Sequence, residues 1–322
     1  MTHSSRWWPP QPSYFSPKPC VAHSKIKWRA TVVIVGAGPG GLEAARVAGE
    51  RGHEVVVLEA AAQAGGQVRL SARSERRKEM ISIIDWRLAQ CEKLGVVMRF
   101  NTWAETDTVL AETPDVVVIA TGGLPHTEVL SKGNDFVVSS WDIISGDVKP
   151  GANVLVYDDA GDHSGLQAAE ILSASGAKVE IMTPDRTFAP DVMAMNLVPY
   201  MRAMQSRDVT FTVSFRLEAV EKDGNQLIAH IGSDYGGVAK HRPFDQIVIN
   251  HGTIPLDELY FELKPRSSNL GAVSYDRLIE GKPQETIRNP SGNFQLFRIG
   301  DAVSARNTHA AIYDALRLLK DI

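Results

Sequence analysis

The feature that most constrains this chain is a glycine turn between a buried strand and a helix, starting at residue 31. Four consecutive β-branched residues end at Val35, which is typical of a strand buried on both faces of a parallel sheet. The turn that follows has the pattern G-x-G-x-x-G at Gly36, Gly38 and Gly41. The first glycine allows a tight turn, the second lets backbone approach a pyrophosphate, and the third lets the helix pack closely on the strand.

The residues after the turn complete the same unit. A helix is predicted over residues 42–50 and a returning strand over residues 54–58, and that strand ends in Glu59, eighteen residues after Gly41. An acid at this place accepts hydrogen bonds from a ribose 2′-hydroxyl and repels a 2′-phosphate. Strand, glycines, helix, strand and acid in this order predict a site for a dinucleotide or a flavin-adenine cofactor.

The composition is that of an ordinary folded protein. The chain has 322 residues, 43% of them hydrophobic, and a net charge of −4. This length favours two domains. The charge argues against nucleic acid as a partner, and no apolar run reaches the ~18–20 residues of a membrane span. The two cysteines, Cys20 and Cys91, fit a cytoplasmic location better than a disulfide scaffold.

Residues 1–30 differ from the rest of the chain. They contain five prolines, two adjacent tryptophans and no acidic residue. The proline density opposes the amphipathic helix of a transit peptide, and no apolar stretch has the length of a secretory signal. This segment is predicted to be a disordered tail or the end of a linker.

The first unit continues with further elements of a flavin-binding domain. A second glycine turn contains Gly66 and Gln67, placed to reach back across the pyrophosphate. A long charged helix is predicted over residues 75–94, and short strands over residues 96–100 and 115–120. The last strand ends in Ala120, Thr121 and Gly122. In flavoproteins with two dinucleotide domains, this A-T-G lies at a strand end beside the adenosine.

The end of the chain returns to the same domain. A strand over residues 296–299 is followed by Gly300 and Asp301, and a helix is predicted from about residue 308 to 319. Such a Gly-Asp brings a carboxylate to the ribityl chain of FAD. The helix behind it can aim its N-terminus at the isoalloxazine C2 carbonyl. This return favours FAD over NAD as the first nucleotide.

A second βαβ unit repeats the first in order and length. Its elements are a strand over residues 153–157, a helix over residues 164–173 and a strand over residues 178–182. Its glycine turn has decayed, because Asp158, Asp159 and Asp162 stand where a pyrophosphate would lie. Two unit charges ~5 Å apart repel by roughly 3 kcal/mol at an effective dielectric of about 20. The repeat allows NAD(P) binding, and the aspartates make a structural remnant the favoured interpretation.

Other chemical motifs are few. A C-x-x-C pair is absent, so a dithiol relay is not expected. His163 in the decayed turn and His309 in the last helix are candidate proton donors, although solvated or capping roles are commoner for such histidines. The spacing of His, Cys and Asp predicts no metal site. Catalytic residues are not identified by the sequence.

The FAD segments resemble those of a known family. These are the run from Val32 to Gly41, the run from Gly65 to Arg69, Ala120-Thr121-Gly122, and the run from Arg298 to Ala302. Residues 30–322 are similar to the C-terminal half of the flavoproteins that include 2,4-dienoyl-CoA reductase and trimethylamine, dimethylamine and related N-methyl-amine dehydrogenases. The decayed second turn resembles the amine-dehydrogenase side, in which the pocket has lost its NAD(P)H role and electrons leave to a protein acceptor.

The resemblance also implies parts that this sequence lacks. The family carries an N-terminal TIM barrel with FMN and substrate, followed by four cysteines that hold a [4Fe–4S] cluster, and two cysteines cannot supply four thiolates. A partner polypeptide with the barrel and cluster, or an electron-transfer protein, is therefore expected, unless the chain is a truncated descendant. An oligomer is compatible with the sequence.

The sequence thus predicts an α/β fold of two Rossmann-like parallel sheets, with a nucleotide-type domain inserted in an FAD-binding domain. Residues 31–148 and 253–322 are predicted to bind FAD, and residues 149–252 to form the insert. The favoured function is an FAD-dependent oxidoreductase subunit that moves electrons between a partner's redox centre and a second acceptor. The alternatives are an NAD(P)H-dependent flavin reductase and a non-catalytic module that binds ADP or FAD.

Overall fold

The computed structural model describes residues 29–237, 239–320 and 322. The tail predicted for residues 1–30 lies almost entirely outside the described residues, and so does Cys20. No described helix is long and apolar enough to cross a membrane.

The structure alternates strands and helices along most of its length. The first five strands are β1 (Thr31–Val35), β2 (Glu54–Leu58), β3 (Val97–Arg99), β4 (Val116–Ile119) and β5 (Gly123–Pro125). The helices between them are α1 (Pro39–Arg51), α2 (Gln67–Ser71), α3 (Ser82–Lys93) and α4 (Thr106–Ala111).

The middle of the chain forms the second unit. Its strands are β6 (Val138–Ser139), β7 (Asn153–Asp158), β8 (Lys178–Thr183), β9 (Thr210–Val213), β10 (Arg216–Asp223), β11 (Gln226–Gly232), β12 (Lys240–Phe244) and β13 (Gln246–Asn250). Its helices are α5 (Ser140–Ser145), α6 (His163–Ala174) and α7 (Ala194–Gln205). The chain then returns through β14 (Thr253–Pro255), α8 (Glu258–Leu263), α9 (Tyr275–Glu280), β15 (Gln295–Arg298) and α10 (Thr308–Leu319).

Two five-stranded parallel sheets carry the fold, which confirms the predicted fold class. The first has the order β15-β4-β1-β2-β3 and the second the order β6-β13-β7-β8-β9. In each sheet the strand before the glycine turn or its remnant lies in the middle, with neighbours on both sides. This is the topological switch point, where open α/β sheets bind ligands at the carboxyl ends of their strands.

Hydrophobic burial explains the central position of β1. Residues Val32 to Val35 are at most 5% exposed and pack under α1, α3 and α10 on one side and α8 on the other. Burying a valine side chain contributes roughly 1.5 kcal/mol or more. The unbroken apolar run therefore predicts a strand covered on both faces, as the structure has it.

The two units are joined by a short ribbon. Strand β5 pairs antiparallel with β14, and the residues between these two strands in sequence form the second sheet. Strand β6 already pairs with β13 of that sheet, although it precedes the domain boundary predicted at residues 148 and 149. A pairing of only two residues leaves no periodic pattern, which is why the sequence does not reveal it.

Several predicted elements differ from the structure. Helix α1 begins at Pro39 rather than at residue 42, because proline fits the first turn of a helix and Gly38 is the N-cap. The helix predicted over residues 75–94 is divided into a 3₁₀ segment, Glu75–Ile81, and α3. The antiparallel sheet of β10, β11 and β12 was not predicted.

Candidate nucleotide-binding cleft

The three glycines of the first turn have different physical roles. Gly36 has φ of +101°, and a Cβ there would lie 2.4 Å from the Ala120 carbonyl oxygen. A Cβ on Gly41 would lie 1.9 Å from the Gly36 carbonyl oxygen. A Cβ on Gly38, whose φ is −71°, would meet nothing within 4 Å. The chain itself therefore requires glycine at the first and third positions, whereas the second faces open space.

Two neighbouring cavities lie beside this turn. The larger has a volume of about 720 Å³ and the smaller about 230 Å³, and both are lined by Gly36, Glu59 and Thr121. The larger extends past Glu59 towards Trp103 and α8. The smaller extends past Gly38 towards the start of α10. An elongated ligand that crosses the glycine turn can therefore place one end in each cavity.

Glu59 is bound to the glycine turn by its side chain. One carboxylate oxygen accepts a hydrogen bond from the Ala37 amide at 2.6 Å, and the other accepts from the Ala61 amide at 2.8 Å. Glu59 therefore fixes the shape of the turn as well as lining the cavity. The sequence pattern indicated only a role toward a ribose.

The second glycine turn and the Gly-Asp turn meet in the smaller cavity. A Cβ on Gly66 would lie 3.4 Å from the Gly38 Cα, so the second turn reaches the first. The Gln67 amide donates to Asp301 at 3.0 Å, and the Arg306 amide donates to the other Asp301 oxygen at 3.2 Å. Burial raises the pKa of Asp301, which these hydrogen bonds partly oppose. Residues far apart in sequence are thus brought to one wall.

The remaining predicted residues border the same cleft. Ala120, Thr121, Gly122 and Gly300 all line the smaller cavity. The Thr121 hydroxyl donates to the carbonyl of Leu256, the residue after β14, and so ties the A-T-G segment to the returning chain. Helix α10 presents Thr308 of its first turn to the cavity, with Asn307 as its N-cap. The structure therefore gathers all eleven predicted binding residues except Gly41 into the cavity walls, and Gly41 lies buried behind them.

The decayed turn of the second unit is arranged differently from the prediction. Asp158 is 1% exposed and lies under α6, where a Cβ on Gly165 would be 2.5 Å from its carboxyl carbon. Asp162 is the N-cap of α6 and accepts from the Ser164 amide at 2.8 Å. Asp158 and Asp162 both accept from the Asn250 side chain. The expectation that all three carboxylates face a pyrophosphate is therefore wrong for Asp158.

A segment after β8 covers this turn. A Cβ on Gly161 would lie 2.6 Å from the Pro190 ring, and the Gly161 carbonyl accepts from the Asp191 amide. Ala189 and Val192 are at most 4% exposed and anchor the segment in the core, although Ala189 has a left-handed φ of +47°. An alanine in that conformation costs roughly 1 kcal/mol. Pro190 therefore packs against Gly161, and Asp162 holds the N-cap position of α6 that Gly38 holds in α1.

Neither candidate histidine lies in the cleft. His163 packs against Tyr200, with 6.0 Å between ring centroids, and burial lowers the pKa of His163 to about 4. His309 is exposed and lines neither of the two cavities. No group of three or more His, Cys, Asp or Glu side chains arranged for a metal ion occurs in the part of the chain that the structure describes.

Sequence reasoning missed several residues of the cleft, among them two tryptophans and an arginine. Trp103, 67% exposed, and Arg266 line the larger cavity, and Trp141 lines the smaller. Trp103 lies in the loop between β3 and α4, four residues after β3 ends, and this place after a strand was the available signal. Trp141 and Arg266 come from short elements with no recognisable pattern, and only the tertiary structure places them here.

Replacing Glu59 with alanine is expected to weaken FAD binding and also to lower the melting temperature. The loss of a charged hydrogen bond costs roughly 1–3 kcal/mol, which corresponds to about a 5- to 150-fold rise in Kd. The Ala37 and Ala61 amides would also lose their acceptor. Flavin titration and thermal unfolding would measure both effects. Glu105→Ala is the matched control, because Glu105 lines the same cavity; an equal loss of affinity there would instead indicate a general effect of charge.

Asp158 is expected to make stability depend on pH. Burial raises the pKa of Asp158 to about 7, whereas the ordinary value is 3.8. The protonated carboxyl favours the folded state, so its contribution is complete below about pH 4 and is lost as the pH rises through 7. Asp158→Asn should remove this slope and gain on the order of a few kcal/mol at pH 8. Urea unfolding of both proteins from pH 5 to 8 would test this; parallel stability curves would contradict it.

Two curated proteins are similar to this chain over most of its length. A "Probable N-methylproline demethylase" from Rhizobium meliloti is 74% identical over 299 residues, which are 93% of this chain and 44% of that protein. An N,N-dimethylglycine/sarcosine dehydrogenase from Chromohalobacter salexigens is 42% identical and matches 90% of this chain and 43% of that protein. The chain therefore spans less than half the length of these curated relatives.

A solved structure has a fold similar to that of this chain. The structure of 2-naphthoyl-CoA reductase with 2-naphthoyl-CoA superposes with a TM-score of 0.76 and 27% identity, over 95% of this chain and 42% of that one. The sequence profile of the pyridine nucleotide-disulphide oxidoreductases matches residues 30–315. With the open glycine turn, this match identifies FAD as the cofactor of the chain. The chain belongs to the pyridine nucleotide-disulphide oxidoreductase family.

Proposed function

We propose that this chain is the FAD-binding, electron-transferring part of a flavin-dependent oxidoreductase that removes N-methyl groups. The observation that carries the proposal is the contrast between its two nucleotide-type turns. The first is open at Gly38 and borders two neighbouring cavities, whereas Pro190 packs against the second. A chain with one open dinucleotide site would hold FAD but no nicotinamide cofactor. Its flavin would then exchange electrons with redox groups outside this chain.

The proposed binding residues are those that the sequence singled out. They are Gly36, Gly38, Gly41, Glu59, Gly66, Gln67, Ala120, Thr121, Gly122, Gly300 and Asp301. FAD, when bound, supplies the acceptance and release of electrons. The open backbone at Gly38 would take the pyrophosphate, Glu59 the adenosine ribose, and Asp301 with Gln67 the ribityl side. The first turn of α10 would stabilise negative charge on the flavin.

The second unit is proposed to serve as a structural domain. Its core is well packed around β7 and α6, but the pyrophosphate approach is filled by Pro190 and Asp162. We propose that it starts near residue 126, because β6 belongs to its sheet, and ends near residue 252. Residues 31–125 and 253–322 then form the FAD-binding domain.

The substrate class is proposed from the relatives. Both curated relatives named above act, by name, on amino acids with N-methyl groups. More than half of each relative has no counterpart in this chain, so substrate contacts are proposed to lie in that remaining part, on the same or a partner polypeptide. By the family resemblance, that part carries FMN in a barrel and an iron–sulfur cluster. The proposed substrate is an N-methylated amino acid of the N-methylproline type.

Mixing the two parts would test this function. The chain loaded with FAD would be combined, without oxygen, with the separately expressed remainder of the Rhizobium meliloti relative. On addition of N-methylproline, the FAD of this chain should be reduced only when both parts are present. Reduction of the chain by N-methylproline alone would contradict the proposal, and so would a mixture that oxidises substrate but never reduces this FAD.

The flavin of the isolated chain should be FAD only, in a ratio near one per chain. The single open glycine turn provides one site, and neither FMN nor stoichiometric iron is expected. Acid extraction followed by chromatography of the flavin, together with iron analysis, would measure this. Bound FMN or about four irons per chain would show that a further cofactor site exists.

A further inference from the structure

Trp141 has an unusual position at the cleft. It is the only aromatic residue among the described residues that line the smaller cavity. It does not belong to the first sheet, because α5 follows β6, which pairs with β13 of the second sheet. A large aromatic side chain of the second unit therefore forms part of a wall that is otherwise built by the FAD-binding unit.

Local structure holds Trp141 in this place. Helix α5 begins with a capping box, in which the Ser139 amide donates to Asp142 at 2.8 Å and the Asp142 amide donates to the Ser139 hydroxyl at 3.2 Å. The Ser140 hydroxyl donates to Asn250 at 2.9 Å, and Ile143 and Ile144 are buried. Trp141 thus projects from a helix start that is fixed on the second sheet.

The smaller cavity is the flavin end of the cleft. The pyrophosphate is expected over Gly38, and Glu59 directs the adenosine toward the larger cavity. The flavin half then lies on the side of Gln67, Asp301 and Thr308, which line only the smaller cavity. Trp141 lies on this side as well. Its indole nitrogen has no hydrogen-bond partner among residues 29–237, 239–320 and 322, and it makes no ring contact there, so the indole is available to a ligand.

We propose that Trp141 packs against the isoalloxazine of FAD and covers the side of the flavin that faces the second unit. Indole has a large aromatic face, and stacked aromatic pairs contribute beyond simple burial of area. The inference rests on the proposed function only in that FAD occupies the cleft. With Trp141 on that side and Pro190 over the second turn, electrons must reach the flavin from the side away from the second unit.

The fluorescence of bound FAD tests this inference. An indole stacked on flavin quenches flavin emission, so the emission of the wild-type complex should be far weaker than that of free FMN. Trp141→Leu should raise the emission per bound FAD several-fold, and Trp141→Phe should give an intermediate value. Trp86→Leu is the matched control, since Trp86 is an exposed tryptophan that lines neither cavity.

Two outcomes would overturn the inference. One is wild-type FAD that fluoresces as brightly as FMN, which is measured without any variant. The other is Trp141→Leu or Trp141→Phe with full FAD content and unchanged emission. Flavin content is measured separately, so a wild-type chain that binds no FAD would contradict the proposed function rather than the role of Trp141.

Discussion

Gly38→Val is expected to abolish FAD binding while the protein remains folded. Gly38 has an ordinary φ of −71°, and a Cβ there meets nothing within 4 Å, so the chain can accept a side chain. The same side chain would occupy the space where the backbone must approach the pyrophosphate. We expect at least a 100-fold loss of affinity for FAD with a melting temperature of the apoprotein close to that of wild type.

The neighbouring glycine provides the contrast. Gly41→Val places a Cβ 1.9 Å from the Gly36 carbonyl oxygen, so the α1–β1 packing must shift. This variant should lose both stability and FAD. Flavin content and thermal unfolding of the apoproteins would separate the two variants. If Gly38→Val keeps a full complement of flavin, the pyrophosphate does not lie at this turn.

The sequence was most informative where local rules agree with tertiary structure. The apolar run of β1, the turn glycines and Glu59 each have a direct physical role, and the structure places them together. Helix α10 begins at Thr308 and ends at Leu319, as predicted, because its apolar face and its N-cap both specify it. The two parallel sheets follow from the repeated βαβ pattern.

Long-range packing was not predictable in the same way. The charged segment after residue 75 has helical periodicity throughout, but its first part is a 3₁₀ turn that contacts the second unit. There the Gln167 side chain donates to the Ser74 hydroxyl at 2.8 Å, and Arg76 forms an ion pair with Glu170. These partners are more than 90 residues away in sequence. The place of Trp141 in the wall of the smaller cavity likewise follows from contacts between the two units.

Residue type alone did not reveal where the three aspartates of the decayed turn lie. Three aspartates predicted closure by negative charge, and the structure adds a contact of Pro190 with Gly161. Asp158 is buried below α6, and an Asp159 carboxylate oxygen lies 2.9 Å from Nδ1 of His251, the residue after β13. What stands above the turn is Pro190, contributed by a segment that has no sequence signature.

NADH is therefore expected not to reduce the FAD of this chain, and the reason is steric. Oxidised protein titrated with NADH should keep its flavin absorbance, whereas dithionite should bleach it. Charge-neutral variants that keep the shape, Asp159→Asn and Asp162→Asn, should not restore NADH binding. Pro190→Gly combined with Asp162→Gly should open the approach to the α6 N-terminus and strengthen NADH binding at least tenfold.

A control variant in the same segment distinguishes loss of the Pro190 contact from a general gain in flexibility of that segment. Pro184→Gly also makes the segment after β8 more flexible, but the three atoms nearest to a Cβ on Gly161 all belong to Pro190. It should leave NADH binding as weak as in wild type. Calorimetric titration of each variant with NADH at two salt concentrations would complete the test, because a repulsive charge is screened by salt and a steric block is not. Rapid reduction of the wild-type flavin by low-micromolar NADH would contradict the closed site and make the chain a nicotinamide-dependent reductase.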